Sequence, residues 1–105
     1  MDIIHTTDNK FKDLLENTKG LVLLDMWAPW CGPCVAMGEI LEDISDDRDD
    51  VQIAKLNVDD NQELAAAFGV RSIPTLIIFK DGKEVAKHIG TMPEADLNSL
   101  LDSHL

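Results

Sequence analysis

Basic residues are scarce in this chain: Lys and Arg number 9 against 20 Asp and Glu, a formal net charge of −11. A surface of that sign repels phosphate backbones and anionic lipid heads, so nucleic acid and membrane are set aside as partners. Long apolar runs are also missing. Leu21 to Leu24 and Thr75 to Phe79 are the longest blocks, far short of the roughly 20 residues that cross a bilayer. Met1 to Lys12 carry Asp2, His5, Asp8, Lys10 and Lys12 and no apolar stretch of the secretory kind, so the expectation is a soluble, cytoplasmic protein. Only two cysteines occur, too few for a disulfide scaffold, and they stand three positions apart at Cys31 and Cys34. Their chemistry is therefore local.

Repeats, low-complexity tracts and linkers are absent as well, and 105 residues leave room for one domain, expected to span residues 1–105. With 45% hydrophobic and 28% charged residues, the composition argues against disorder and for a packed core. The periodic segments alternate helix and strand, which makes the fold class α/β or α+β. Thr7 or Asp8 is placed to cap a helix with Phe11, Leu14 and Leu15 inside, and Gly20 to stop it. Leu21 to Met26 lacks alternation and reads as a strand buried on both faces. Met37, Ile40, Leu41 and Ile44 form the stripe of an amphipathic helix that starts at the cysteines.

Val51 to Val58 reads as a second strand, and Asn61 to Phe68 as a short Ala-rich helix closed by Gly69. Asp81-Gly82 between Thr75–Lys80 and Lys83–Ile89 signals a tight hairpin, so those strands are antiparallel and the sheet is mixed. Thr91 to Glu94, with Pro93 near the start, opens a last helix that buries Leu97, Leu100 and Leu101.

Cys31-Gly32-Pro33-Cys34 lies between a buried strand and the first turn of a helix. Unpaired N–H groups and the positive end of the helix dipole favour a thiolate there, so the Cys31 pKa is expected to fall. Pro33 suits a first helical turn because its missing N–H has no partner to lose, and Gly32 leaves the sulfur approachable. Cys34, one turn further in, faces the core and serves as the thiol that closes on Cys31. A disulfide across so short a loop removes only about 2 kcal/mol of unfolded-chain entropy, against about 3 for a 15-residue loop. Reversible redox chemistry explains the pair better than structural reinforcement.

The segment Asp25-Met26-Trp27-Ala28-Pro29-Trp30-Cys31-Gly32-Pro33-Cys34 resembles the active site of the thioredoxin family. The resemblance extends to Ala54-Lys55-Leu56-Asn57-Val58-Asp59, to Ile73-Pro74-Thr75 before a strand, and to Asp81-Gly82 and Gly90, in order over nearly the whole chain. It implies a central mixed sheet flanked by about four helices. It implies too that Cys31 attacks a disulfide in another protein and Cys34 then releases the reduced substrate. No bound cofactor is implied: the redox group is the Cys31–Cys34 pair, reset by a separate NADPH-linked flavoprotein, thioredoxin reductase. The expected partners are that reductase and disulfide-containing proteins, and the expected form is a monomer.

Asp25 admits two readings, a solvated strand-end carboxylate or, by the resemblance, a buried group of raised pKa that acts as general base for Cys34. Lys55 either approaches Asp25 from the adjacent strand or snorkels to the surface. Ile73-Pro74 would ordinarily be trans, whereas the resemblance predicts cis, with Ile73 backbone groups free to pair with an extended substrate. Trp30, Ile73, Pro74, Ile89 and Gly90 would then form an apolar docking rim, the alternative being that Ile73 and Ile89 are core and Gly90 a turn. Trp27, directly after the strand, is expected to pack and orient rather than to touch substrate.

This chain also departs from the family pattern. Gly38-Glu39 stands where many members carry a helix-kinking proline, Met26 where an aromatic is usual, and Val35 where a basic residue often follows the second cysteine. Zinc is a rival for Cys31 and Cys34, but His5, His88 and His104 lack ligand spacing. A redox-silent binding module is a second rival. Oxidase and isomerase branches commonly place His between the cysteines, so Gly32-Pro33 favours a reductant. The run Glu42, Asp43, Asp46, Asp47, Asp49 and Asp50 reads as a solvated face, or else as steering toward basic partners.

Overall fold

The structure, a computed structural model, describes residues 1–105. Five strands form one mixed sheet in the order β1-β3-β2-β4-β5, where β1 is Ile4–His5, β2 Leu21–Trp27, β3 Val51–Asn57, β4 Thr75–Lys80 and β5 Lys83–Ile89. β1 and β2 run parallel to β3, and β4 runs antiparallel to both β2 and β5. The four helices are α1 (Phe11–Asn17), α2 (Gly32–Asp47), α3 (Gln62–Ala67) and α4 (Glu94–Asp102). None is long and apolar enough to cross a membrane.

Period-two alternation in the central strands divides the core between the two faces of the sheet. Leu21, Leu23, Val51, Ile53, Leu76 and Ile78 point to the face covered by α2 and α4, which contribute Met37, Leu41, Ile44, Leu97 and Leu101. Val22, Leu24, Met26, Ala54, Leu56, Ile77 and Phe79 point to the face covered by α1 and α3. There Phe11, Phe68 and Phe79 meet edge to face, with centroids 5.4 to 6.4 Å apart, a geometry worth about 0.5–1.5 kcal/mol per pair beyond area burial.

The hairpin expected at Asp81-Gly82 is present, both residues having positive φ, at 49° and 84°, as a tight primed turn requires. Other local expectations need correction. Neither Thr7 nor Asp8 caps α1: its N-cap is Lys10, with no side-chain bond. Asp8 instead caps α3, its carboxylate accepting from the backbone N–H groups of Glu63 (3.2 Å) and Leu64 (2.9 Å). Gly20 has φ of 83° but lies past the end of α1, which closes on an extended Thr18. Its N–H donates to Asp81 Oδ1 at 2.8 Å, and its carbonyl accepts from Asp81 N–H at 2.9 Å. Pro93 stands near the start of α4 as expected, as its N-cap.

β1 was not expected from sequence. The acidic run after residue 41 is solvent-exposed throughout. It is anchored by Arg48, which pairs with Asp50 (2.9 Å) and Asp102 (2.8 Å) and donates to Asn98 Oδ1 (3.2 Å), tying the end of α2 to α4.

Candidate active site

Local sequence sets the site at the junction of β2 and α2. The strand carries the chain to Trp27 with its residues 21–26 all buried, and Pro33 in the first turn then starts α2 with Cys31 as N-cap. Cys31 Sγ accepts the Cys34 N–H at 3.2 Å. That N–H is one of the helix-end donors without an intrahelical partner, so it is free to stabilise charge on sulfur. The two sulfurs are joined as a disulfide with Cα atoms 5.2 Å apart. Cys31 keeps 6% of its surface while Cys34 keeps none, and nothing lies within 4 Å of a Cβ added at Gly32. The outer sulfur is thus the approachable one.

Asp25 resolves toward the buried reading. It is fully enclosed, and neither carboxylate oxygen has a hydrogen-bond partner. Alternation along β2 puts it on the same face as Leu21 and Leu23, under α2, whose inward residues begin with Cys34. Loss of hydration pushes its pKa up from 3.8 to about 7, the positive charge of Lys55 partly opposing the rise. Lys55 is the register partner of Asp25 on β3. Its ammonium lies over the Trp27 ring, 4.4 Å from the centroid. Trp27 is half-buried, and its indole N–H is enclosed without a partner.

The Ile73-Pro74 bond is cis, and the Ile73 carbonyl oxygen lies 3.8 Å from Cys31 Sγ. Pro74 is buried. The Pro74 carbonyl accepts the Gly90 N–H at 2.8 Å, which brings the end of β5 to the same place. Trp30 and Ile89 are 71% and 61% exposed; neither is core, while Ile73 and Gly90 are half-buried.

Sequence reasoning missed Asp59, whose carboxylate accepts the Trp30 indole N–H at 3.0 and 3.1 Å. It also missed the apolar cleft of about 200 Å³ beside Trp30, lined by Trp30, Val58, Ala65, Val70, Arg71 and Ile73. The acidic pair after β3 was the available signal for the first; the second assembles from four separate segments. No cluster of three or more His, Cys, Asp or Glu side chains could hold a metal.

The thioredoxin family model matches residues 2–103. The chain is 41% identical to a thioredoxin of Haemophilus influenzae, over 99% of this chain and 98% of the relative. It is 43% identical to a thioredoxin of Bacillus subtilis over the full length of both. A mutant thioredoxin from Halobacterium salinarum NRC-1 superposes with a TM-score of 0.91 at 35% identity, covering 98% of this chain and 90% of that one. A paired Cys-Gly-Pro-Cys at a helix entrance, on this sheet and with these relatives, makes the chain a member of the thioredoxin family, a thiol–disulfide oxidoreductase acting through Cys31 and Cys34.

Proposed function

We propose that Cys31 is the attacking sulfur, Cys34 the resolving sulfur and Asp25 the base that serves it. The observation that carries this is the asymmetry of the pair: Cys31 caps the helix and is approachable, while Cys34 is enclosed on the face that also holds Asp25. In the reduced protein, the Cys31 thiolate attacks one sulfur of a substrate disulfide, a mixed disulfide forms, and the other substrate sulfur leaves as thiolate. Cys34 then gives its proton to the Asp25 carboxylate and attacks Cys31 Sγ. The Cys31–substrate bond breaks, the second substrate thiolate departs, and the Cys31–Cys34 disulfide forms. Two electrons pass from the pair to the substrate.

Substrate docks on the rim of Trp30, Ile73 and Gly90 beside Ile89, with Pro74 beneath. Ile73 offers its backbone to an extended chain, a mode of recognition tolerant of sequence. Trp27 and Lys55 support the site from within. The oxidised pair is returned to the dithiol by thioredoxin reductase, which draws on NADPH; the protein itself needs no bound cofactor. Residues 1–105 act as one monomeric domain in the cytoplasm on disulfide-containing proteins.

Reduction of insulin disulfides with dithiothreitol or a reductase as electron source tests this. Cys31→Ser abolishes turnover, and Cys34→Ser accumulates a covalent substrate complex through Cys31. Undiminished turnover by Cys31→Ser would overturn the assignment.

A further inference from the structure

Gly38 is a buried residue in the interior of α2, one turn past Cys34 on the same face. Its backbone does not need glycine, since its φ lies outside the left-handed region that favours that residue. Glycine is also among the poorest helix formers. What it does offer is space in one direction: an added Cβ would stand 3.3 Å from Lys55 Nζ, tighter than ordinary van der Waals contact. No other glycine in the chain has any atom within 4 Å of its missing Cβ. The bare backbone at 38 and the Trp27 ring, 4.4 Å away, therefore bound the seat of one ammonium.

That ammonium forms no salt bridge, so no carboxylate fixes its position. Shape does. Asp25, the register partner of Lys55 on β3 and of Leu76 on β4, is fully buried, as are Leu76 itself and, on α2, Cys34 and Met37. In the dithiol state Cys34 is the one titratable group among those three. Lys55 is the one charge that acts on Asp25.

We propose that Gly38 is a positioning residue: by carrying no side chain it keeps open the seat of the Lys55 ammonium and so sets how strongly that charge acts on Asp25. This rests on the reading of Asp25 as the base for Cys34. Because Asp25 is fully buried while Lys55 is partly exposed, a side chain at 38 drives the ammonium outward, away from the carboxylate. Asp25 then holds its proton to higher pH, and release of the mixed disulfide slows at neutral pH.

The test is the carbon-13 titration of the Asp25 carboxyl group in the oxidised protein, where the cysteines do not titrate, alongside the pH profile of substrate release. Gly38→Ala, a substitution the helix accepts readily, raises the carboxyl midpoint by about 0.1 to 0.3 pH unit. Gly38→Leu raises it further, toward the value of Lys55→Met. In the Lys55→Met background, Gly38→Ala moves it no more. An unmoved midpoint in Gly38→Ala, or an equal shift with and without Lys55, overturns the proposal. If instead the carboxyl midpoint moves but Asp25→Asn leaves the release profile unchanged, the reading of Asp25 as base fails, and with it the effect on release.

Discussion

Asp25 and Lys55 stand opposite one another on adjacent strands, yet no ion pair joins them. The carboxylate is sealed in the core without a hydrogen bond, and the ammonium sits over the Trp27 ring and against Gly38 instead. Such an arrangement does not serve stability, because a well-formed pair would hold the carboxylate at low pKa. It suits the proposed role of Asp25 as a base, for which a pKa near neutrality is best placed.

The same arrangement gives oxidised protein an unusual pH dependence. Asp25 ionises near 3.8 when unfolded but at about 7 when folded. Between those values the folded state holds a proton that the unfolded state has lost, so stability falls as pH rises from about 4 to about 7 and levels off above. Asp25→Asn removes this loss and stabilises oxidised protein at pH 8 by roughly 4 kcal/mol, at about 1.36 kcal/mol per pH unit. Urea unfolding from pH 4 to 8 checks it; an unfolding midpoint for the variant at or below that of the parent at pH 8 would count against the buried carboxylate.

Trp30 is fastened by Asp59 but 71% exposed, so under the proposed docking role its removal is expected to act on substrate rather than on folding. Trp30→Ala lowers kcat/KM toward a protein disulfide about tenfold, the equivalent of about 1.4 kcal/mol. Exchange with small disulfides changes far less, and stability stays within about 0.5 kcal/mol. Parallel kinetics on insulin and on a low-molecular-weight disulfide separate the two effects.

Asp8 links the segment after β1 to α3 across 55 residues of sequence. Its own N–H donates to Asn61 Oδ1 at 3.0 Å, so the bond between the two segments is reciprocal. Asp8→Ala lowers unfolding stability by about 1 kcal/mol, as for a lost N-cap, and weakens amide exchange protection at Glu63 and Leu64. Protection that falls in α1 instead would restore Asp8 as the cap of its own helix.

Arg48 gathers the ends of α2 and α4 with Asp50 at its side. Its bond to Asp50 holds the Asp50 carboxyl below the usual carboxylate range and, with Asp102, raises the guanidinium pKa. Arg48→Met destabilises by about 1 to 2 kcal/mol, since the stranded carboxylates are half exposed and rehydrate. The difference between Arg48→Met and the parent narrows in concentrated salt, which thermal unfolding at two ionic strengths reads.

Features that depend on neighbours in the chain were legible before any fold was known. The strand buried on both faces, the stripe of Met37, Leu41 and Ile44, the turn at Asp81-Gly82 and the helix entrance at Cys31 each follow from residue type and spacing over a few positions. β1 was not legible, because two residues carry no period. Residue spacing points Asp8 at α1, which begins just after it at Phe11, whereas its true partners on α3 are 55 and 56 residues away.

Sequence alone determined that one sulfur would meet the open N–H groups of a helix, since Pro33 and the stripe behind it dictate where that helix begins. Only tertiary structure decided what surrounds the pair. The burial of Asp25, the seat of Lys55 between Trp27 and Gly38, and the approach of Ile73 and Gly90 all bring distant segments together. Such contacts depend on the order and register of strands, and no local pattern of residues encodes them.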